Sequence, residues 1–420
     1  MILVLEEREC RYLGHTGGAG MIKECVVVGA GPAGLATSRA LVGRGVDHVV
    51  LERDEVGHSW RSQRWDSFRL NTPGWMNGVL GRAERDDYAT APEVVTALDG
   101  MAAALPVQQR TPVQSLDRDA NGYVLRTPDG ELHASTVVLA TGNQNVPMVP
   151  SFAGRVAEDV RQWHAAEFRN SAQLPPGAVL VVGSAQSGCQ IAEYLISAGR
   201  PVYLATSQVG RYPWRYRGRD VVEWLAEAGF YDQRTQDLED PDMMRVAPPV
   251  VASGGRSLSL QSLARSGVML LGRIVSVAGH TMTFDGSAEA NAAYGDRSAS
   301  RVCSFVDAFI HETGTHAPPP EPDDSGGPVN LQLRTTLDLE AAEVASIIWC
   351  TGFTGDFSWV HLPVLDGAGQ PKHEDGATAE PGVWFVGLPW LTRRSSGLFL
   401  GLPSDATKIA GAVARNLIKS

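Results

Sequence analysis

Glu24-Cys25-Val26-Val27-Val28-Gly29-Ala30-Gly31-Pro32-Ala33-Gly34-Leu35 is the stretch whose reading decides the fold. Three consecutive valines read as a fully buried parallel strand. They run into Gly29-x-Gly31-x-x-Gly34, and Pro32 to Val42 carries a helical pattern. Strand, glycine turn and helix in that order are the context a dinucleotide fingerprint requires. Gly29 permits the tight turn, Gly31 lets the backbone approach a pyrophosphate, and Gly34 lets helix and strand pack closely. The helix that Pro32 and Ala33 open would aim the N–H donors from Ala33 onward, and its partial positive charge, at the phosphates. A second apolar strand, Val46 to Leu51, ends in Glu52-Arg53, where an acidic side chain would hold ribose hydroxyls.

A second fingerprint follows at Ala178-Val-Leu-Val-Val-Gly183-Ser-Ala185-Gln186-Ser187-Gly188, again strand then turn, with Ser187 to Ala198 amphipathic and helical. Ala185 replaces the middle glycine and narrows the approach to a pyrophosphate by one methyl. The next strand, Pro201 to Ala205, ends in Thr206-Ser207 and not in an acid. A carboxylate there would repel a 2′-phosphate, whereas hydroxyls with nearby arginines would accept one. The second cofactor is therefore expected to be NADPH and not NADH. Arg211, Arg215, Arg217 and Arg219 follow, and Arg211 lies nearest the strand end. The competing reading has these arginines meeting acidic neighbours such as Asp220 and Glu223.

Two further segments echo each other. Val137-Val-Leu-Ala140-Thr141-Gly142 and Ser346-Ile-Ile-Trp-Cys350-Thr351-Gly352-Phe353 both read as a strand delivering Thr-Gly. Flanking the second fingerprint, they predict an α/β protein of two Rossmann-like dinucleotide-binding domains, one inserted into the other. The expected divisions are an N-terminal extension (1–20), a first domain in two parts (21–165 and 329–420), and the inserted domain (166–328). His311 to Pro328, with its proline triplet, reads as a linker. Gly382-Val-Trp-Phe-Val-Gly387 reads as a last strand, and Ser404 or Asp405 would cap a helix running to Ile418.

Between the fingerprints, Gly57-His-Ser-Trp60-Arg61 and Arg64-Trp65-Asp66-Ser67-Phe68-Arg69-Leu70-Asn71-Thr72 are dense in aromatic, basic and amide side chains. Trp60 and Trp65 can simply fill space. Arg61 and Asn71 are better placed to donate to a flavin. His164 has a plain reading as a polar residue on a helix linking the domains.

A chain of 420 residues can bury a large core, and a formal net charge of -11 argues against nucleic acid or an anionic membrane surface as partner. The 5 cysteines include no Cys-x-x-Cys pair, which suits a reducing cytoplasm and argues against a disulfide reductase or a zinc ribbon; no metal site is expected. No apolar run reaches membrane-spanning length.

In order, the first fingerprint, Trp60-Arg61, Thr141-Gly142, Gln186-Ser187-Gly188 and Cys350-Thr351-Gly352-Phe353 resemble the single-component (class B) flavin-containing monooxygenases, including the plant auxin-forming branch and its bacterial relatives. The resemblance spans about Met21 to Ser420. It implies FAD on the first fingerprint, NADPH on the second, a small-molecule substrate with O2, and a C4a-(hydro)peroxyflavin protected by retained NADP⁺. Asn71 matches an amide near the flavin's reactive edge in many relatives, and Thr72 and Gly387 fall in cofactor-facing loops. The implied reaction is oxygenation of a nitrogen or sulfur centre. The alternatives are Baeyer–Villiger insertion into a ketone or aldehyde, an NADPH-dependent oxidase or reductase, and a nucleotide-sensing flavoprotein without turnover. A homodimer stays open. Three positions depart from the family pattern: His58 stands where relatives carry glycine, Ala185 replaces glycine, and Phe152-Ala-Gly154 has no histidine at the spacing of the Baeyer–Villiger signature.

Overall fold

The computed structural model describes residues 22–84, 87–329, 331 and 333–419. The expected extension over 1–20 lies outside the described residues. β1 (Lys23–Val28) is buried along its last four residues and turns at Gly29 into α1 (Pro32–Val42). Pro32 sits in the first helical turn, where its missing N–H costs nothing. β2 (His48–Leu51) lies parallel to β1, with Cys25 opposite His48 and Val28 opposite Leu51. α2 (His58–Ser62) packs on α3 (Ala91–Ala102), which a Thr90–Glu93 capping box starts. β3 (Val107–Gln108) extends the sheet beyond β2. On the other side, β4 (Ser115–Asp119), β5 (Gly122–Thr127) and β6 (Gly130–Leu139) form an antiparallel meander whose last strand pairs in parallel with β1.

β7 (Val146–Pro147) leads to a second sheet, which begins at β8 (Arg161–His164). β9 (Ala178–Val182) and α4 (Gln186–Ser197) repeat the strand–turn–helix unit, and β10 (Val202–Ala205) pairs in parallel with β9. A small hairpin of β11 (Arg215–Tyr216) and β12 (Arg219–Asp220) precedes α5 (Val221–Glu227). α6 (Leu260–Arg265) then feeds the outer strand β13 (Met269–Leu271). β14 (Ile274–Ala278) and β15 (Thr281–Phe284) form an antiparallel ribbon, and the 26-residue helix α7 (Ala288–Thr313) separates them from its third strand, β16 (Thr336–Asp338). β17 (Val344–Trp349) completes the parallel order β13-β10-β9-β17-β8. β18 (Phe353–Thr354) pairs back to β7, β19 (Val383–Phe385) rejoins the first sheet beside β6, and α8 (Leu402–Lys419) packs on α1.

Five expectations change. The segment Val344–Trp349, placed with the returning first domain, is a central strand of the second sheet. β8 also belongs there, although residues up to 165 were assigned to the first domain. A strand buried on both faces looks the same in either sheet, so its composition carries no address. His164 ends strand β8 and does not sit on a linker helix. The linker begins later than His311, because α7 runs to Thr313. Ser404 and Asp405 lie inside the first turn of α8, and Asp405 instead accepts from the Thr392 hydroxyl at 2.7 Å. No helix among the described residues is long and apolar enough to cross a membrane.

Candidate functional site

Both glycine turns are built alike. Gly29 has φ +107° and Gly183 φ +106°, a conformation that side chains resist. A Cβ on Gly34 would lie 1.9 Å from the Gly29 carbonyl oxygen, and one on Gly188 would lie 1.8 Å from that of Gly183. Helix and strand therefore touch through bare backbone in both units. The middle positions also match: Gly31 has φ -77° and Ala185 φ -76°, so neither needs glycine for its backbone. A Cβ on Gly31 would meet nothing within 4 Å, as expected of a turn that faces open space. Ala185 thus costs clearance and not strain.

One cavity of about 410 Å³ is lined by the starts of both helices. Gly31, Pro32 and Ala33 line it from the start of α1, and Ser187 lines it from the start of α4. Trp60, Asn71, Thr72, Thr141, Gly142, Phe353 and Gly387 complete the sequence-expected residues that reach it. The size is that of a small-molecule site. The Thr141 hydroxyl is buried against the cavity without a hydrogen-bond partner, an incomplete bonding pattern that a polar ligand would fill. These features fit a dinucleotide laid over the first turn.

Asn71 sits where the two units meet. Its Nδ2 donates to Gln186 Oε1 at 3.4 Å, and that oxygen also accepts from the Val251 N–H at 3.1 Å. Gln186 Nε2 donates to the Ala252 carbonyl at 2.8 Å, so the first residue of α4 holds Asn71 from across the interface. Thr72 donates to Asn77 Oδ1 at 3.0 Å. Glu52 uses both carboxylate oxygens on backbone, accepting from Ala30 N–H at 2.7 Å and Asp54 N–H at 3.1 Å. It therefore braces the glycine turn from the end of β2. Arg53 is exposed and paired with Asp54 at 3.0 Å.

Three expected site residues are engaged elsewhere. Arg61 turns outward onto Asp99, at 2.5 Å, and donates to the Val56 carbonyl, so it does not line the cavity. Arg211, expected to take a 2′-phosphate, is buried between Asp296 at 2.6 Å and Asp323 at 2.5 Å, and donates to the Ser325 hydroxyl. Burial opposes ionisation of Asp323, but the bonds from Ser325 and Arg211 outweigh it and hold its carboxyl below the usual range. The Thr206 hydroxyl is spent on the Leu271 carbonyl at 2.7 Å and on Asn291 Nδ2 at 3.0 Å. Ser207 remains at the edge, its N–H donating to Ser184 Oγ at 3.0 Å and so tying the end of β10 to the second turn. The other arginines meet acids as the competing reading had it, Arg219 on Glu223 and Arg217 on Asp307. The acids that consume Arg211 arrive from α7 and the segment after it, far along the chain.

Thr351 donates to the Met148 carbonyl, and the Gly352 carbonyl accepts from His164 Nε2 at 3.0 Å. The His164 ring also stands edge-on to Phe353, 4.8 Å between centroids. Burial lowers its pKa, which favours the neutral ring that this single donation needs. His164 therefore fixes the Thr-Gly-Phe turn that brings Phe353 to the cavity. Arg64, not singled out from the sequence, lines the cavity with its guanidinium 4.7 Å over the Trp60 ring. A basic residue inside an otherwise aromatic and amide stretch was its only signal.

A family model described as pyridine nucleotide-disulphide oxidoreductase matches residues 26–228. An oxidoreductase of Geobacillus kaustophilus, named Uncharacterized oxidoreductase CzcO-like, is 29% identical over 394 residues, covering 92% of this chain and 96% of its own. The Indole-3-pyruvate monooxygenase YUCCA1 of Oryza sativa subsp. japonica is 33% identical over 175 residues, 40% of this chain and 43% of its own. A solved flavin-containing monooxygenase from Stenotrophomonas maltophilia superposes with TM-score 0.65 at 20% identity, covering 93% of this chain and 98% of that one. With the starts of both helices lining one cavity, these likenesses mark the chain as a flavin-dependent oxidoreductase that resembles the class B flavin-containing monooxygenases, with FAD and NADPH as its cofactors.

Proposed function

We propose that the chain is an NADPH-dependent monooxygenase that oxygenates a nitrogen or sulfur centre of a small molecule. The observation that carries this reading is the shared cavity: the start of α1 and the start of α4 both line it. Hydride transfer between two dinucleotides needs their rings within contact distance, and a common cavity supplies that proximity. In this reading the first sheet is the FAD unit and the second the NADPH unit inserted into it, with Glu52, Gly31 and Thr141 toward FAD and Ala185 and Ser187 toward NADPH. FAD held by the first unit would supply the oxygen chemistry when bound.

The residues of the chain have three tasks. The N–H groups of Ala33, at the start of α1, and of Gln186 and Ser187, at the start of α4, bind phosphates. Trp60, Phe68 and Phe399, packed at 6.0 Å and 5.5 Å around Trp60, keep water from the reacting atoms. Asn71, anchored by Gln186, presents an amide N–H where negative charge develops on oxygen. A soft nucleophile, such as an amine nitrogen or a sulfide sulfur, would be the natural acceptor for an electrophilic oxygen donor.

Incubation of the FAD-loaded enzyme with NADPH and ¹⁸O₂ over amine, sulfide and ketone panels tests this. One labelled oxygen atom in an amine or sulfide product, with NADPH consumed in step, supports the reading. Stoichiometric peroxide without labelled product across the panels would replace it with an oxidase.

A further inference from the structure

The cavity carries a charge that nothing balances. Its described lining contains Arg64 and no aspartate, glutamate, lysine or histidine. The Arg64 guanidinium lies 4.7 Å over the Trp60 ring and 5.5 Å from the Phe68 ring, and donates from Nη1 to the Gln63 carbonyl at 3.0 Å. No carboxylate pairs with it among the described residues. The neighbouring Arg61 does find an acid, Asp99. Burial alone depresses the Arg64 pKa, to about 10, which still leaves it charged at neutral pH. Close by, Gln63 Oε1 is buried without a hydrogen-bond partner. A half-buried cation without a counter-charge is costly, and an anion entering the cavity would balance it.

Resting on the reading of this cavity as the flavin and substrate site, we propose that Arg64 anchors the carboxylate of an anionic, aromatic-sized substrate. Contact with the Trp60 ring holds the guanidinium at the cavity wall, and its donors beyond the Nη1 bond to Gln63 are those a carboxylate would take. The FAD pyrophosphate already has donors at the start of α1, so it has no need of this arginine. Trp60, Phe68 and Phe399 supply an apolar wall for the body of the same molecule. Arg64 is in this account a specificity-determining residue.

The test is a spectral titration of the FAD-loaded protein with benzoate, phenylacetate and 3-phenylpropanoate, each against its primary amide, following the visible flavin bands. At least one acid should bind about tenfold or more tightly than its amide, the difference expected of a charge-assisted hydrogen bond. R64M should keep its FAD and lose that preference, and R64K should recover part of it. Equal affinity of every acid and amide, or a preference that survives in R64M, overturns the proposal. Loss of FAD from R64M also overturns it, because Arg64 would then hold the cofactor. The titration needs no turnover, so an enzyme that proves to be an oxidase leaves this result standing on its own.

Discussion

Asn71 donates to Gln186 across 3.4 Å, joining the cavity wall of the first nucleotide unit to the opening residue of the second unit's helix. In the proposed function a residue held this way would face both cofactors at once. Asn71→Ala should still bind FAD and still be reduced by NADPH, while coupling of NADPH use to product falls by about tenfold as hydrogen peroxide is released. Unchanged coupling, measured as product formed per NADPH, would remove Asn71 from the oxygen chemistry.

The first turn leaves no room for a methyl group at Gly34. A Gly34→Ala side chain would lie 1.9 Å from the backbone oxygen of Gly29, which cannot move without opening the turn. The expected cost is about 3 kcal/mol or more, with FAD-poor protein and a lowered Tm. Thermal melts with and without added FAD measure both.

Ala185 shares the backbone conformation of Gly31 and differs from it by one methyl group. Ala185→Gly should therefore tighten NADPH binding a few-fold, at a stability cost of about 0.5 kcal/mol from the more flexible unfolded chain. Stopped-flow reduction at varied NADPH gives the affinity directly. A weaker Kd would place the alanine methyl in favourable contact with the cofactor.

Arg211 is built into a structural ion cluster. Replacing it with alanine strands Asp296 and Asp323, whose side chains are 33% and 29% exposed. The loss should be about 2 kcal/mol, below the ~3–5 kcal/mol of a fully buried pair. The ratio of NADPH to NADH affinities should stay the same. A collapse of that ratio in a fully folded variant would return Arg211 to the 2′-phosphate.

The same cluster sets a pH dependence. The Asp323 carboxyl is held below its ordinary range in the folded chain, so the unfolded chain takes up its proton first as the solution is acidified. Its contribution is present at neutral pH and lost as pH falls below the unfolded carboxylate range of ~4 and through the lower folded value. Asp323→Asn should flatten that acid limb in denaturant titrations and leave stability above pH 6 only lowered.

Much of this was legible in the sequence because local chemistry dictated it. Gly29, Gly34, Gly183 and Gly188 occupy positions that admit only glycine, so both turns could be read from spacing. Asn71, Thr141 and Phe353 reach the cavity as expected. The side-chain partners were not legible, because charge finds charge through tertiary structure. Asp296 and Asp323 reach Arg211 from 85 and 112 residues away, and Asp99 reaches Arg61 from 38. Helix α7 could have been read: Ala288, Asn291, Ala292, Gly295, Ala299, Val302 and Val306 are its buried residues, at spacings of three and four. Small and polar residues on that face hid the period.

The central claim is that one cavity brings NADPH, flavin and oxygen together for monooxygenation. The most direct test reduces the FAD-loaded enzyme with NADPH under anaerobic conditions, then mixes it with oxygenated buffer under a diode-array spectrometer. The account predicts prompt bleaching, then a transient absorbing species distinct from reduced and oxidised flavin before the yellow colour returns. Failure of NADPH to bleach the flavin, or direct return to oxidised flavin with stoichiometric peroxide even with substrate present, would contradict it.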